Sequence, residues 1–149
     1  MMNKIIQFYL LIITFSLVSY SVFASKNKKT VIDATEYGYA QINIIKNQSL
    51  VFVSGQVGFD TSKNNDFTSQ VDRAFESLDK ALKKAGSSAE NVTKITLLIA
   101  DHDPEKLDYL IKKRKSFFKD AYPASTLIPV TRLYQDGVSF EIDAVAILP

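Results

Sequence analysis

Cysteine and tryptophan are both absent from the 149 residues, and His102 is the only histidine. Without thiols there is no disulfide, no lipid-modified cysteine, no thiolate metal site and no Cys nucleophile, so the fold rests on its apolar core. With one imidazole, a Ser-His-Asp triad or a His-based metal site would hang entirely on His102. Glycine and proline are also sparse, at 5 and 4 residues, and no Gly-rich phosphate loop, zincin helix or nucleophile elbow occurs. Nor is there a run of five or more like charges: the formal net charge is +2 and the lysines are spread along the chain, which gives little warrant for a nucleic-acid or membrane-surface partner.

What is present is 46% hydrophobic and 23% charged residues, a balance that fits one globular domain. The chain opens on "MMNKIIQFYLLIITFSLVSYSVFA", in which Lys4 precedes an apolar run that ends in Val22-Phe23-Ala24. This is the pattern of a secretory signal over residues 1–24, cut after Ala24, which implies a periplasmic or secreted protein with no membrane association after cleavage. Retention as an anchor is the alternative, because Lys26, Lys28 and Lys29 follow closely. Residues 25–36 read as a polar lead-in, and 37–149 as the folded domain.

Within that domain "YAQINIIKNQSLVFVSGQVG" holds two β-branched runs around Lys46-Asn47-Gln48, the chemistry of a hairpin. The next segment repeats apolar residues at Val71, Ala74, Phe75, Leu78, Ala81, Leu82 and Ala85, one face of a helix with Asp66 or Thr68 as N-cap and Gly86 as its stop. "NVTKITLLIA" is a strand. A second helix begins at Asp103-Pro104 and carries Leu107, Leu110, Ile111, the stem of Arg114, Phe117 and Phe118 on its apolar side. "STLIPVTRL" and "VSFEIDAVAIL" complete the order β-β-α-β-α-β-β, with Asp136-Gly137 as a hairpin signal between them. Such an order predicts an α+β domain of two layers, a mixed sheet with both helices on one face. The strands are apolar on both alternations, so the uncovered face should be buried in a homo-oligomer, with any ligand cleft between subunits.

Few residues suggest chemistry. "DHDPE" around His102 reads as an acid-rich helix start rather than a metal cluster. Asn47-Gln48-Ser49 and Asn91-Val92-Thr93 match glycosylation sequons at near-chance frequency. Ser54 and Gly55 end an apolar strand, either as a bulge or as a close approach to a ligand, and no base near in sequence makes Ser54 a nucleophile. Glu141 and Asp143 point the same way from an otherwise apolar strand, as a site or as a charge pair with Arg132.

In order and spacing, "YAQ", "VFVSGQVG", "QVDRAFESLDKALKKAG", "VTKITLLIAD", "SFF", "YPAS", "VTRL" and "EIDAVA" resemble the RidA family of imine deaminases, formerly YjgF-type, from about Tyr37 to Ile147. The resemblance implies a chorismate-mutase-like fold and a homotrimer, with small-molecule clefts between subunits and no cofactor or metal. It also implies a site drawing on Tyr39, Ser54, Gly55 and Glu141, the last as the catalytic group that places water. Family members bear an arginine after Pro-Ala that forks onto a substrate carboxylate; Ser125 stands there. Leu127 and Ile111 replace a cysteine and an asparagine of the common pattern. A charge-assisted fork is worth about 1.5–3 kcal/mol against about 1 for a neutral hydroxyl, so the change implies altered specificity, away from 2-imino acids and toward another small amine, imine or carbonyl compound. Arg132 lies seven positions on, an odd offset that turns it to the opposite face of a regular strand. If the protein turns a substrate over, the implied class is hydrolysis at C=N; a binding or scaffold trimer without turnover is the alternative, and an endoribonuclease the remote one.

Overall fold

The computed structural model describes residues 29–149, so the proposed signal segment lies outside the described residues. Six strands and two long helices follow one another as β1 (Lys29–Ala34), β2 (Ala40–Ile45), β3 (Leu50–Val57), α1 (Phe67–Lys84), β4 (Val92–Ala100), α2 (Pro104–Phe118), β5 (Ala124–Val130) and β6 (Phe140–Ile147). They build the expected mixed sheet with both helices on one face. The part read as polar lead-in contributes a sixth strand, β1, antiparallel to β2.

Local chemistry explains the helices. Asp66, rather than Thr68, caps α1 by accepting from the Ser69 N–H at 2.7 Å, and Asp103 does the same for Lys106 at 2.8 Å, ahead of Pro104. Gly86, at φ +77°, ends α1 in the left-handed conformation that glycine adopts without strain. The buried side of α1, from Val71 through Phe75 and Leu78 to Leu82, packs with Leu110 and Phe118 of α2 onto Ile95, Leu97 and Ile99 of β4 and Phe140, Ile142 and Ala144 of β6. These alternate residues define the inner face of the sheet; Lys94, Thr96 and Leu98 of β4 therefore belong to the outer face.

Strand neighbours differ from the two hairpins expected from the sequence. The order is β1-β2-β5-β4-β6-β3. β4 separates β5 from β6, because the β4-α2-β5 crossover lays β5 parallel to β4 on one side while β6 pairs antiparallel on the other. The Asp136-Gly137 turn lies in the loop that passes over the end of β4, where the Ala100 N–H donates to the Ser139 carbonyl at 3.0 Å. Nor do β2 and β3 pair. β2 meets β5 at a single position, Ala40 with Ala124, and then runs across the beginnings of β5 and β4. There Asn43 Nδ2 donates to the carbonyls of Thr93 (3.0 Å) and Tyr122 (3.2 Å), and Lys29 Nζ to those of Glu90, Val92 and Ala121. The crossing strand lets the short link Lys46–Ser49 reach β3 at the far edge.

Candidate functional site

The expected site residues fall into two groups, one on each face of the sheet. On β3 the pairing with β6 shifts register between Val53 and Gln56, so Ser54 and Gly55 form a bulge opposite Asp143. Glu141 folds over that bulge: a Cβ built on Gly55 would stand 1.7 Å from Glu141 Oε1. Glycine at 55 is what leaves room for the carboxylate. Glu141 pairs with Leu98, an outer-face residue, and so faces outward. Asp143, on the same side, accepts from the Thr96 N–H at 3.2 Å and is used within the sheet.

The second group faces the helices. Ser125 and Leu127 pair with Ile95 and Leu97, whose side chains are in the core, so both point inward. Directly above Ser125 is Arg114 of α2, only 4% exposed, whose Nη1 donates to Ser125 Oγ at 3.3 Å. The guanidinium carbon lies 5.6 Å from the centre of the Tyr39 ring. Tyr39 is carried there by Gly38, at φ +76°, where a Cβ would press within 2.9 Å of Lys115 Cγ and 3.2 Å of Arg114 Cβ. Ile111, one turn before Arg114, shares its side of α2. The sequence reading grouped Tyr39, Ser125, Leu127 and Ile111 with Ser54, Gly55 and Glu141 in one site, whereas within one chain Ser125 and Glu141 lie on opposite faces, and it assigned Arg114 only a packing stem. The signal that could have found it is a guanidinium at an apolar position of α2.

Arg132 is neither a substitute for that arginine nor the partner of Glu141 and Asp143. β5 ends at Val130, and Arg132 lies beyond it, exposed, in an ion pair with Asp136 at 2.9 Å. His102 is exposed in the turn before α2, and no cluster of His, Asp and Glu among the described residues is arranged to hold a metal. A cleft of about 430 Å³ opens between the starts of the two helices, lined by Phe67, Thr68, Asp103, Lys106 and Tyr109 among others, and holds none of the expected site residues. Tyr109 there donates to Asp72 at 2.9 Å; burial and that carboxylate push its hydroxyl up to about 12, so it stays protonated.

Residues 31–148 match the family model described as Endoribonuclease L-PSP. RutC family protein YjgH of Escherichia coli is 35% identical over 107 residues, 70% of this chain and 80% of the relative. The chain belongs to the RidA/YjgF superfamily. Another member, the human 2-iminobutanoate/2-iminopropanoate deaminase, is 32% identical over 65% of this chain and 72% of its own length. The RidA/YjgF fold is matched by YyfB of Yersinia pestis, a Rid family protein of unknown function, with a TM-score of 0.75 at 21% identity over 81% of this chain and 99% of that one. The architecture is thus chorismate-mutase-like α+β.

Proposed function

We propose that this chain is an exported RidA-type hydrolase that converts a small imine to the carbonyl compound and ammonia in clefts between copies of a homotrimer. The observation that carries the reading is the seat of Glu141 over Gly55, a carboxylate given room by a glycine bulge on a frame whose relatives include proteins named imine deaminases. In the reaction, water adds to the imine carbon and forms the C–O bond while its proton passes to Glu141. Glu141 returns that proton to the nitrogen, the hydroxyl proton of the resulting carbinolamine follows it there, and the C–N bond breaks as C–O becomes C=O, so that ammonia leaves carrying both protons of the water.

Glu141 and Ser125 lie on opposite faces of one sheet, so a cleft lined by both needs a second copy. Exposed apolar residues on the outer face, Phe52 (75% exposed) and Leu50 on β3 and Ile128 on β5, support such an assembly. Export is proposed from the signal pattern of residues 1–24; among the described residues no helix is long and apolar enough to cross a membrane.

The test is ammonia release from imines generated in situ by an amine oxidase or an amino-acid oxidase. Glu141→Gln should lower turnover by roughly 10²-fold or more, the usual worth of a general base; undiminished turnover would sink the assignment. A second reading, binding without turnover, is favoured by the apolar Leu127 and Ile111 beside Ser125. It requires that wild type release no ammonia while Glu141→Gln keeps ligand affinity. Ribonuclease chemistry finds little support, since the single histidine is on the exposed turn before α2.

A further inference from the structure

Among the described residues no hydrogen bond or ion pair holds the Glu141 side chain, so its seat over Gly55 is set by how the backbones of β6 and β3 are placed. The two strands are not fixed alike. β6 is paired with β4 from Phe140 to Ala146. β3 is an edge strand, and beyond its bulge only two rungs, Gln56 with Ile142 and Val57 with Glu141, tie its end to β6. A strand end held by so few rungs opens before the rest of a sheet. Whatever fixes the chain just past Val57 therefore fixes Gly55 beneath Glu141.

Arg73 of α1 does this. Its Nε donates to the Gly58 carbonyl at 2.6 Å, and its Nη2 to the Asn64 carbonyl at 2.8 Å and to Asn65 Oδ1 at 3.0 Å. None of the ion pairs among the described residues involves it, so its charge is answered by the dipoles of one loop. The planar fork of a guanidinium lets Nε and Nη2 reach both ends of that loop at once, which the point donor of a lysine does not. Gly58 permits the approach: a Cβ there would stand 2.0 Å from the Gln70 carbonyl oxygen, so the backbone leaving β3 lies directly against α1. Gln70, fully buried one turn before Arg73, gives that contact a fixed base. Its Nε2 donates to the carbonyls of Asn65 and Gly137, each at 2.8 Å, and its Oε1 accepts from the Ser139 N–H at 3.0 Å. One turn of α1 thus grips the chain that leaves β3 and the chain that enters β6.

We propose that Arg73 is a positioning residue for Glu141: by holding the Gly58 carbonyl against α1, it keeps the Gly55 bulge in place beneath the carboxylate. Arg73 acts from the helix layer on a group that faces the other side of the sheet, and residues 56–58 carry the effect. This inference rests on the role given to Glu141 above, so turnover and geometry are read separately.

Arg73→Met and Arg73→Lys are compared in the full chain; the residue is half-buried, and both changes leave the buried side of α1 intact. In each variant kcat for ammonia release should fall at least about tenfold while KM stays within about twofold, because a displaced base weakens the chemical step and not binding. In a Glu141→Gln background the same changes should cause no further loss, a non-additivity that a merely structural role does not produce. Wild-type kcat in either variant, or the same loss in both backgrounds, overturns the inference. The Gly55 amide resonance reports the seat without turnover. Glu141→Gln should shift it in the wild-type background and much less in the Arg73 variants; no shift in the wild-type background, or equal shifts in all three, overturns the inference. A wild type that releases no ammonia while these shifts differ overturns the hydrolase reading alone.

Discussion

At the scale of single residues, function hangs on space as much as on charge. Gly55 is the clearest case, because its missing side chain is where Glu141 sits. Gly55→Ala puts a methyl group within bonding distance of that carboxylate, and the half-buried glutamate will swing aside rather than compress. A reacting group displaced by about 1 Å can cost on the order of 10² in rate. Gly55→Ala should therefore reduce ammonia release almost as far as Glu141→Gln while shifting the thermal midpoint little, since position 55 is exposed. Retained activity would mean that Glu141 works from another rotamer. Gly86→Ala is the contrasting control: nothing lies within 4 Å of the added Cβ, but φ is +77°, so that change should cost stability, about 1 kcal/mol, and leave turnover per folded molecule unchanged.

Among the elements, the β1–β2 unit is held least by backbone pairing and most by side chains. One ladder position joins β2 to β5; Asn43 and Lys29 supply the rest by occupying carbonyls at the beginnings of β4 and β5. Asn43→Ala should cost roughly 1–2 kcal/mol for its two hydrogen bonds and speed amide exchange in β1 and β2 before the rest of the sheet. Lys29 adds a pH signature. Burial lowers its pKa from 10.5 to about 8, so between about pH 8 and 10.5 the unfolded chain holds more of this proton than the folded one. Stability from this group therefore rises with pH across that window and is flat below it. Chemical denaturation at pH 7 and pH 10 should show that increment in wild type and its loss in Lys29→Met. These contacts also explain why helices were legible in the sequence and strand neighbours were not. Asp66, Asp103 and Gly86 act on their own turn of chain, so periodicity and capping residues locate both helices. The partners of β2 and β6 depend on a crossover and on side chains reaching 50 residues or more along the chain, as from Asn43 to Thr93, and a local turn signal such as Asp136-Gly137 carries no information about that distance.

For the whole molecule, the same limit applies to the site. Tyr39, Ser125 and Glu141 could be singled out from residue order as candidates, but the division of Ser125 and Glu141 between two faces follows from the pairing of β4 with both β5 and β6, and the contact of Arg114 with Ser125 depends on α2 docking above β5. On the proposed function, that division makes assembly a condition of activity. If Glu141 of one copy must meet Ser125 of another, the outer face has to be covered, and Phe52 is its most exposed large apolar residue. Phe52→Glu places a carboxylate where an apolar interface would form, at a position whose exposure in the single chain leaves the fold itself untouched. Light scattering should then report a trimer for wild type and a smaller species for Phe52→Glu, with unchanged helix and strand content by circular dichroism. Ammonia release should disappear with the trimer, although no residue of either cluster has been altered, because neither face alone holds both Glu141 and Ser125. Full turnover from a monomeric Phe52→Glu protein would show instead that one sheet face suffices, and the two clusters would have to be assigned separate tasks.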